Sequence, residues 1–243
     1  MRNWLAVDIG NTYIKGAVIE DNRVGSVSRY ATTSIEEAAH QLLADGAREP
    51  IALASVVPAA TEAIKSLALA KQREIFEVKP HTQKILSNMH PEMGADRIAS
   101  AAAAWKLYGK GQPTVVMTFG TATTLLAISA DGKIEGGYIA PGLTMMLDVL
   151  HQRTALLPQL SITDVTTELG QDTQTHITNG VLLGHIGMIR AWLEEAKRSL
   201  GAPAITVATG GWDKELQNRL HLFDHVDDDL TLKGIYVIAE NPT

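Results

Sequence analysis

The chain presents the same short turn twice. An apolar run ends in Val7-Asp8-Ile9-Gly10-Asn11-Thr12, and a second one ends in Met117-Thr118-Phe119-Gly120-Thr121-Ala122-Thr123-Thr124. Glycine lets a backbone turn tightly and approach a bound group. Neighbouring N–H groups, amides and hydroxyls can then satisfy phosphate oxygens. One such turn is ordinary loop chemistry. Two, at matched places in two half-chains, predict a nucleotide clamped between related lobes.

Composition narrows the partners. The net charge of −6, with no Lys/Arg cluster, argues against a nucleic-acid binder, which needs a basic footprint. Without cysteine there is no disulfide, thiolate nucleophile or Cys-ligated zinc, which is compatible with a reducing cytosol. The apolar run near Trp4 is too short for a signal peptide, and nothing approaches a membrane span, so we expect a soluble, cytoplasmic protein with no membrane partner.

The pattern along the chain predicts an α/β protein. Strands are expected at Trp4–Val7, Tyr13–Ile19, Ile51–Val57 and Ile75–Val78, with a hairpin turn at Asp21-Asn22. Ser34-Ile35-Glu36-Glu37 carries a capping-box signature before a helix that Gly46 would stop. A second helix is expected through Ile64 and Leu67, and an Ala-rich one over Arg97–Tyr108. Gly109–Pro113 then divides the chain into lobes 1–112 and 113–243. The second half restarts with strands at Thr114–Thr118, Thr124–Ile128 and Ile134–Ile139. Helices follow near Thr144–Gln152 and over Thr173–Ser199, the latter broken near Gly180 or Gly184. A strand at Ala204–Ala208, a Thr209-Gly210-Gly211 turn and a short helix at Lys214–Leu220 complete the pattern.

Taken singly, each candidate motif has an ordinary alternative. In Asp8–Lys15, Gly10, Asn11 and Thr12 can contact phosphates, Lys15 can supply charge, and Asp8 can hold hydrated Mg²⁺. The same octet can be a plain hairpin. In Gly94-Ala95-Asp96-Arg97, Asp96 can be a general base and Arg97 a fork for a carboxylate, or Asp96 can simply cap the helix. The glycines of Gly136–Gly142 can admit a ligand or shape a turn. Gly170–Thr173 can offer substrate a hydroxyl or start a helix, and Thr209–Gly211 can pack on a nucleobase or end a strand. Asp227-Asp228-Asp229 reads as a solvated turn. No HExxH, P-loop, GxSxG or GxGxxG pattern is present.

In this order the motifs resemble the type III pantothenate kinases over nearly the whole chain. The segments are DIGNTYIKG at 8–16, GADR at 94–97, FGTATT at 119–124, GGYIAPG at 136–142, TALLP at 154–158, Gly170–Thr173 with Ile177 and Gly180, TGG at 209–211 and LTLKGI at 230–235. The resemblance implies two similar actin-like (ribonuclease H-like) lobes, each a mixed sheet with flanking helices. It implies phosphorylation of pantothenate by ATP with Mg²⁺, the first step of coenzyme A synthesis, by a homodimer. Under it Asp8, Ile9, Gly10, Asn11, Thr12, Tyr13, Ile14 and Lys15 bind the ATP phosphates, joined by Thr121. Asp8 holds Mg²⁺ through water, Gly94, Ala95, Asp96 and Arg97 line the pantothenate pocket, and TGG lies on the adenosine side. Asp96 is the proton acceptor and Thr173 touches substrate.

Two positions depart from the family pattern. Many members start the second turn with an Asp that holds a monovalent cation, where this chain has Thr118, so cation dependence should be weak. The aromatic residue that often precedes GADR is missing from Leu86–Pro91, and no substrate contact is expected there. Two other readings compete with the kinase. One is a non-catalytic accessory or regulatory relative, favoured by the loss of Asp at 118. The other is a kinase or phosphatase acting on a different small molecule.

Overall fold

The computed structural model describes residues 2–45, 48–161, 168–211 and 221–242. The expected stop at Gly46 and the helix at Lys214–Leu220 lie outside them. In the first half, β1 (Trp4–Ile9) and β2 (Tyr13–Glu20) form a hairpin continued by β3 (Arg23–Val24) and β4 (Ser28–Ala31). Asp21 and Asn22 make the intervening turn at φ 48° and 61°, the left-handed pair that suits a two-residue hairpin. Then come α1 (Ile35–Asp45), β5 (Ile51–Ser55), α2 (Pro58–Ala70), β6 (Ile75–Glu77) and α3 (Ala95–Ala103). The second half runs β7 (Thr114–Phe119), β8 (Ala122–Ile128), β9 (Ile134–Pro141), α4 (Leu143–Arg153), α5 (Thr173–Leu200), β10 (Ile205–Gly210), β11 (His225–Val226) and α6 (Leu230–Ala239).

The two sheets share one topology. β1 pairs antiparallel with β2 and parallel with β5, which pairs parallel with β6. β7 does the same with β8, β10 and β11. The expected repetition of motif order is therefore a repetition of strand order, and Asp8 and Thr118 occupy equivalent places one residue before the strand end.

Alternating side chains sort the sheets into layers. Leu5, Val7, Ile9, Ile14 and Leu53 pack outward on α1 and α2. Val115, Met117, Phe119 and Leu125 pack outward on α5. The inner faces of both sheets, through Trp4, Ala6, Ala54, Val116, Leu126 and Val207, close on α3 and α6. Although α6 belongs to the second half, it packs on the first sheet as well: Trp4 Nε1 donates to Glu240 Oε1 at 2.7 Å, just past its end.

The α3–α6 contact is unusually close. A Cβ on Gly234 would lie 1.8 Å from the Ala99 carbonyl oxygen, so only glycine fits. Ser100 and Thr231 hydroxyls bond at 2.9 Å across the same contact. A buried ion pair then locks α6. Lys233 Nζ donates to both oxygens of Asp227, at 2.8 and 2.7 Å, and the Tyr108 hydroxyl donates to Oδ2 at 2.7 Å. Burial, and then that bond, push the Tyr108 phenol above its usual range. Asp227 is 7% exposed. The triple-aspartate segment is thus no solvated turn at its first residue, because Lys233, six positions on, folds back over it.

Two helices differ from the periodic reading. The Ala-rich helix is α-helical only to Ala103 and then widens into a π-turn over Ala104–Gly109. There Trp105 reaches the Ser129 carbonyl on one side and Tyr108 reaches Asp227 on the other. α5 is unbroken through Gly180 and Gly184. Each glycine costs about 1 kcal/mol in a helix, and the buried row Leu182, Ile186, Ile189 and Leu193 outweighs it.

Gly234→Ala should destabilise the protein by about 3 kcal/mol, the upper end for overpacking, since backbone must move to admit the methyl. Gly187→Ala, with nothing within 4 Å of the added Cβ, should raise stability by about 0.5–1 kcal/mol. Thermal melts of the two variants test this, and a Gly234→Ala protein as stable as wild type would disprove the packing account.

Candidate functional site

The inner faces of the sheets carry the polar groups that sequence reading singled out. Asp8 on β1 faces Lys15 on β2 as a cross-strand pair, and Lys15 faces Arg29 on β4. Side chains of directly paired residues emerge on the same face, so one carboxylate and two cations form a row on the side of the sheet that holds α3. Arg29 stacks its guanidinium over the Tyr13 ring at 3.5 Å. Sequence reading missed Arg29, because its nearness to Lys15 comes from the β2–β4 register.

The two glycine turns meet. Thr12 Oγ1 lies 3.0 Å from Thr121 Oγ1, joining the first turn to the second. Each turn is braced from outside itself. Thr32, just after β4, donates its hydroxyl to the Gly10 carbonyl at 2.7 Å and its N–H to the Thr12 carbonyl at 3.0 Å. In the second turn, Gly142 donates its N–H to the Thr121 carbonyl at 2.9 Å, and a Cβ there would lie 2.1 Å from the Gly120 oxygen. Gly142 of the GGYIAPG segment therefore serves close packing beside the turn. Gly210 packs the same way on the Phe119 backbone.

GADR sits at the start of α3. Gly94 is the N-cap residue and no side chain caps the helix, so capping does not account for Asp96. The Asp96 carboxylate folds back over Gly94, where a Cβ would lie 2.6 Å from Oδ1. Among the described residues neither Asp96 nor Arg97 makes a side-chain hydrogen bond or ion pair. A cleft of about 380 Å³ opens beside Gly94 and Ala95, lined also by Ser55, Val56, Lys79 and Met93. Leu86–Pro91 serves mainly as an anchor. Leu86 is buried, Ser87 pairs with Gly132 and Ile134, and Asn88 Nδ2 donates to the Ile134 carbonyl at 2.8 Å.

Asp96 is close enough to Asp8 to influence its charge. Burial first, and then the Asp96 charge, push the Asp8 carboxyl up to about 7, against the opposing pull of Lys15. Asp8 Oδ1 is enclosed without a hydrogen-bond partner. An orphaned carboxylate oxygen beside a second carboxylate suits a hard divalent cation, which takes oxygen ligands and keeps several waters. The residues present therefore fit Mg²⁺. Among the described residues no group of three or more His, Cys, Asp or Glu is placed to hold a metal without further ligands.

The equivalent place in the second sheet is neutral. Thr118 Oγ1 and Thr124 Oγ1 are a cross-strand pair bonded at 2.7 Å, where the first sheet has Asp8 and Lys15. Thr173 starts α5 behind an Asp172 capping box. Among the described residues it shares no hydrogen bond with Gly94–Arg97, so this chain's bonding does not bring it to that group.

Asp8 makes stability depend on pH. Between about pH 4 and 7 the unfolded chain has released a proton that the folded carboxyl keeps, so stability falls as pH rises through that window. Asp8→Asn removes the penalty. The ligand-free variant should exceed wild type by on the order of 2–4 kcal/mol at pH 8 and match it near pH 4. Melts at both pH values decide the matter; an equal gap at both would contradict it.

Comparison with known proteins agrees with this geometry. The profile of the type III pantothenate kinase family matches residues 4–195. The type III pantothenate kinase of Methylacidiphilum infernorum is 34% identical over 239 residues, covering 97% of this chain and 88% of its own. Among solved structures, a Baf-family protein of Campylobacter jejuni, named a transcriptional activator, superposes with a TM-score of 0.65 at 21% identity, covering 97% of this chain and 98% of its own. An inorganic polyphosphate/ATP-glucomannokinase of an Arthrobacter strain gives 0.55 at 17%, covering 99% and 100%. These likenesses give the fold, which is actin-like, and no helix among the described residues is long and apolar enough to cross a membrane. With a matching profile over most of its length and a relative above 30% identity, the chain belongs to the type III pantothenate kinase family, a family of kinases.

Proposed function

We propose that this protein transfers the γ-phosphoryl group of ATP to the terminal hydroxyl of pantothenate, opening coenzyme A synthesis, with Asp96 as proton acceptor. The observation that carries the reading is the unpartnered Asp96–Arg97 pair beside Asp8 and the two joined turns. Phosphoryl transfer asks mainly for positioning and charge stabilisation. Lys15, with the backbone of residues 8–14 and the Thr121 hydroxyl, holds the phosphates in the row that Asp8 begins. Asp8 holds Mg²⁺ through water. When bound, the ion supplies neutralisation of the phosphate charge. Asp96 accepts the proton from the attacking hydroxyl, and Arg97 faces the pantothenate carboxylate as a two-pronged donor. TGG at 209–211 takes the adenosine side.

We take the lobes as residues 1–112 and 113–243, with α6 of the second crossing back to pack on the first sheet, and the nucleotide between them. Thr118 spends its hydroxyl on Thr124 and offers no charge to a monovalent cation, which supports turnover insensitive to K⁺ or Na⁺. Asp96→Asn should lower kcat by at least about 100-fold, as loss of a general base does. Arg97→Ala should raise the pantothenate KM about tenfold or more with a smaller change in kcat. Steady-state kinetics in K⁺ and in Na⁺ buffers measure all three. Full turnover by Asp96→Asn would remove the base, an unchanged KM would remove the Arg97 contact, and strong K⁺ activation would remove the Thr118 reading. No turnover by wild type, with ATP still bound, would favour an accessory role.

We also propose a homodimer. Tyr138 on the α5-facing side of the edge strand β9, Val149 on α4 and Leu183 on α5 are large apolar side chains left 38%, 46% and 51% exposed. These elements adjoin one another, and grouped exposed apolar side chains mark interaction surfaces. Light scattering should return twice the 26.2 kDa chain mass, falling to the single mass in Val149→Glu with Leu183→Glu. A wild-type mass of one chain would end the proposal.

A further inference from the structure

His185 lies on α5, behind the second sheet, and is 1% exposed. Its Nε2 is 2.8 Å from Thr123 Oγ1, while Nδ1 is enclosed with no partner. Its ring also meets the edge of Phe119, with centroids 6.2 Å apart. Phe119 and Thr123 are cross-strand partners. They are the pair that closes the second turn, Gly120–Ala122. One buried imidazole therefore grips both ends of the loop whose Thr121 touches Thr12.

A buried polar group with an unmet partner is costly, and cores rarely keep one without a reason. A leucine or phenylalanine at 185 would pack among Leu182, Ile186 and Phe119 with no polar atom to satisfy. Burial keeps the imidazole neutral, pulling its pKa down to about 4. The arrangement that strands no buried N–H puts the proton on Nε2, which then donates to Thr123 Oγ1. The first turn has a comparable brace in Thr32, which binds Gly10 and Thr12 from just after β4.

We propose that His185 is a positioning residue for nucleotide binding: through Thr123 it fixes the second turn so that Thr121 meets the phosphates opposite Thr12. The inference rests on the kinase reading above in taking this turn as a nucleotide contact. His185 itself touches neither nucleotide nor pantothenate. It acts on the nucleotide side alone, since the Gly94–Arg97 group is on α3, in another layer.

The test uses the whole purified chain, with MgATP affinity from titration calorimetry and both KM values from steady-state kinetics. Thr123→Val keeps shape and removes the hydroxyl, while His185→Leu removes the donor. Each should weaken MgATP binding by about tenfold, the equivalent of one buried hydrogen bond, and leave the pantothenate KM unchanged. The double variant should be no weaker than either single one, because both remove the same bond. His185→Gln, which can still donate an N–H, should bind within about threefold of wild type. ATP affinity within about twofold of wild type in a folded Thr123→Val protein would overturn the proposal, as would equal losses for both substrates. Thr123→Val decides the question even where His185→Leu does not fold. Calorimetry needs no turnover, so wild type that binds MgATP without phosphorylating pantothenate would defeat the kinase reading and leave this inference to its own data.

Discussion

The crossing of α3 over α6 sets the geometry on which the rest of the structure depends. Gly234 lets the α6 backbone lie where any Cβ would collide with the Ala99 backbone, and the inner faces of both sheets close on this pair. Asp96 and Arg97 lie at the beginning of α3, so their distance from Asp8 follows from how deeply α3 sits against the first sheet. A methyl group at the crossing would shift the helix, and the carboxylate with it. Close packing transmits such shifts because interiors have little slack. The Asp227–Lys233–Tyr108 lock ties the first turns of α6 to the π-turn that follows α3 and holds the crossing in place. Breaking one partner of such a buried pair is far more harmful than its net contribution suggests.

Duplication of one strand order has produced two unequal turns. The first keeps a carboxylate and a lysine on neighbouring strands, and its carboxylate is held at a raised pKa by burial and by Asp96. The second has two threonines bonded to each other in the same places. Charge is thus gathered on the side that carries GADR, and the opposite side contributes hydroxyls and backbone. Burial and a neighbouring negative charge disfavour this carboxylate in a way that a bound cation would offset, and perturbed carboxylates of this kind gather at functional sites. Both turns rely on braces placed outside their own sequence: Thr32 for the first, Gly142 and His185 for the second.

Much of the site was legible because its residues are adjacent in sequence. Turns at Gly10 and Gly120, the helix start at GADR and the hairpin at Asp21-Asn22 are local signals, and local chemistry decides them. The helix boundaries were less so. Gly180 and Gly184 read as breaks, yet α5 runs through them because its buried row binds it to the second sheet. The Ala-rich helix gave no hint of its π-turn, which coincides with Trp105 and Tyr108 reaching partners on opposite sides. Asp227 read as solvated because an acidic run usually is; its burial depends on Lys233 and Tyr108, and Tyr108 comes from the other half of the chain.

The sequence by itself determined the family, the repeated strand order and the short motifs, since each is written in neighbouring residues and in their order along the chain. Only the tertiary structure decided which of those motifs meet. It brought Thr12 to Thr121, set Asp96 near Asp8, aligned Arg29 with Lys15 and placed His185 under Thr123. Sheet register and helix crossing make such contacts between residues far apart in sequence, and they depend on the packing of the whole core rather than on any local signal.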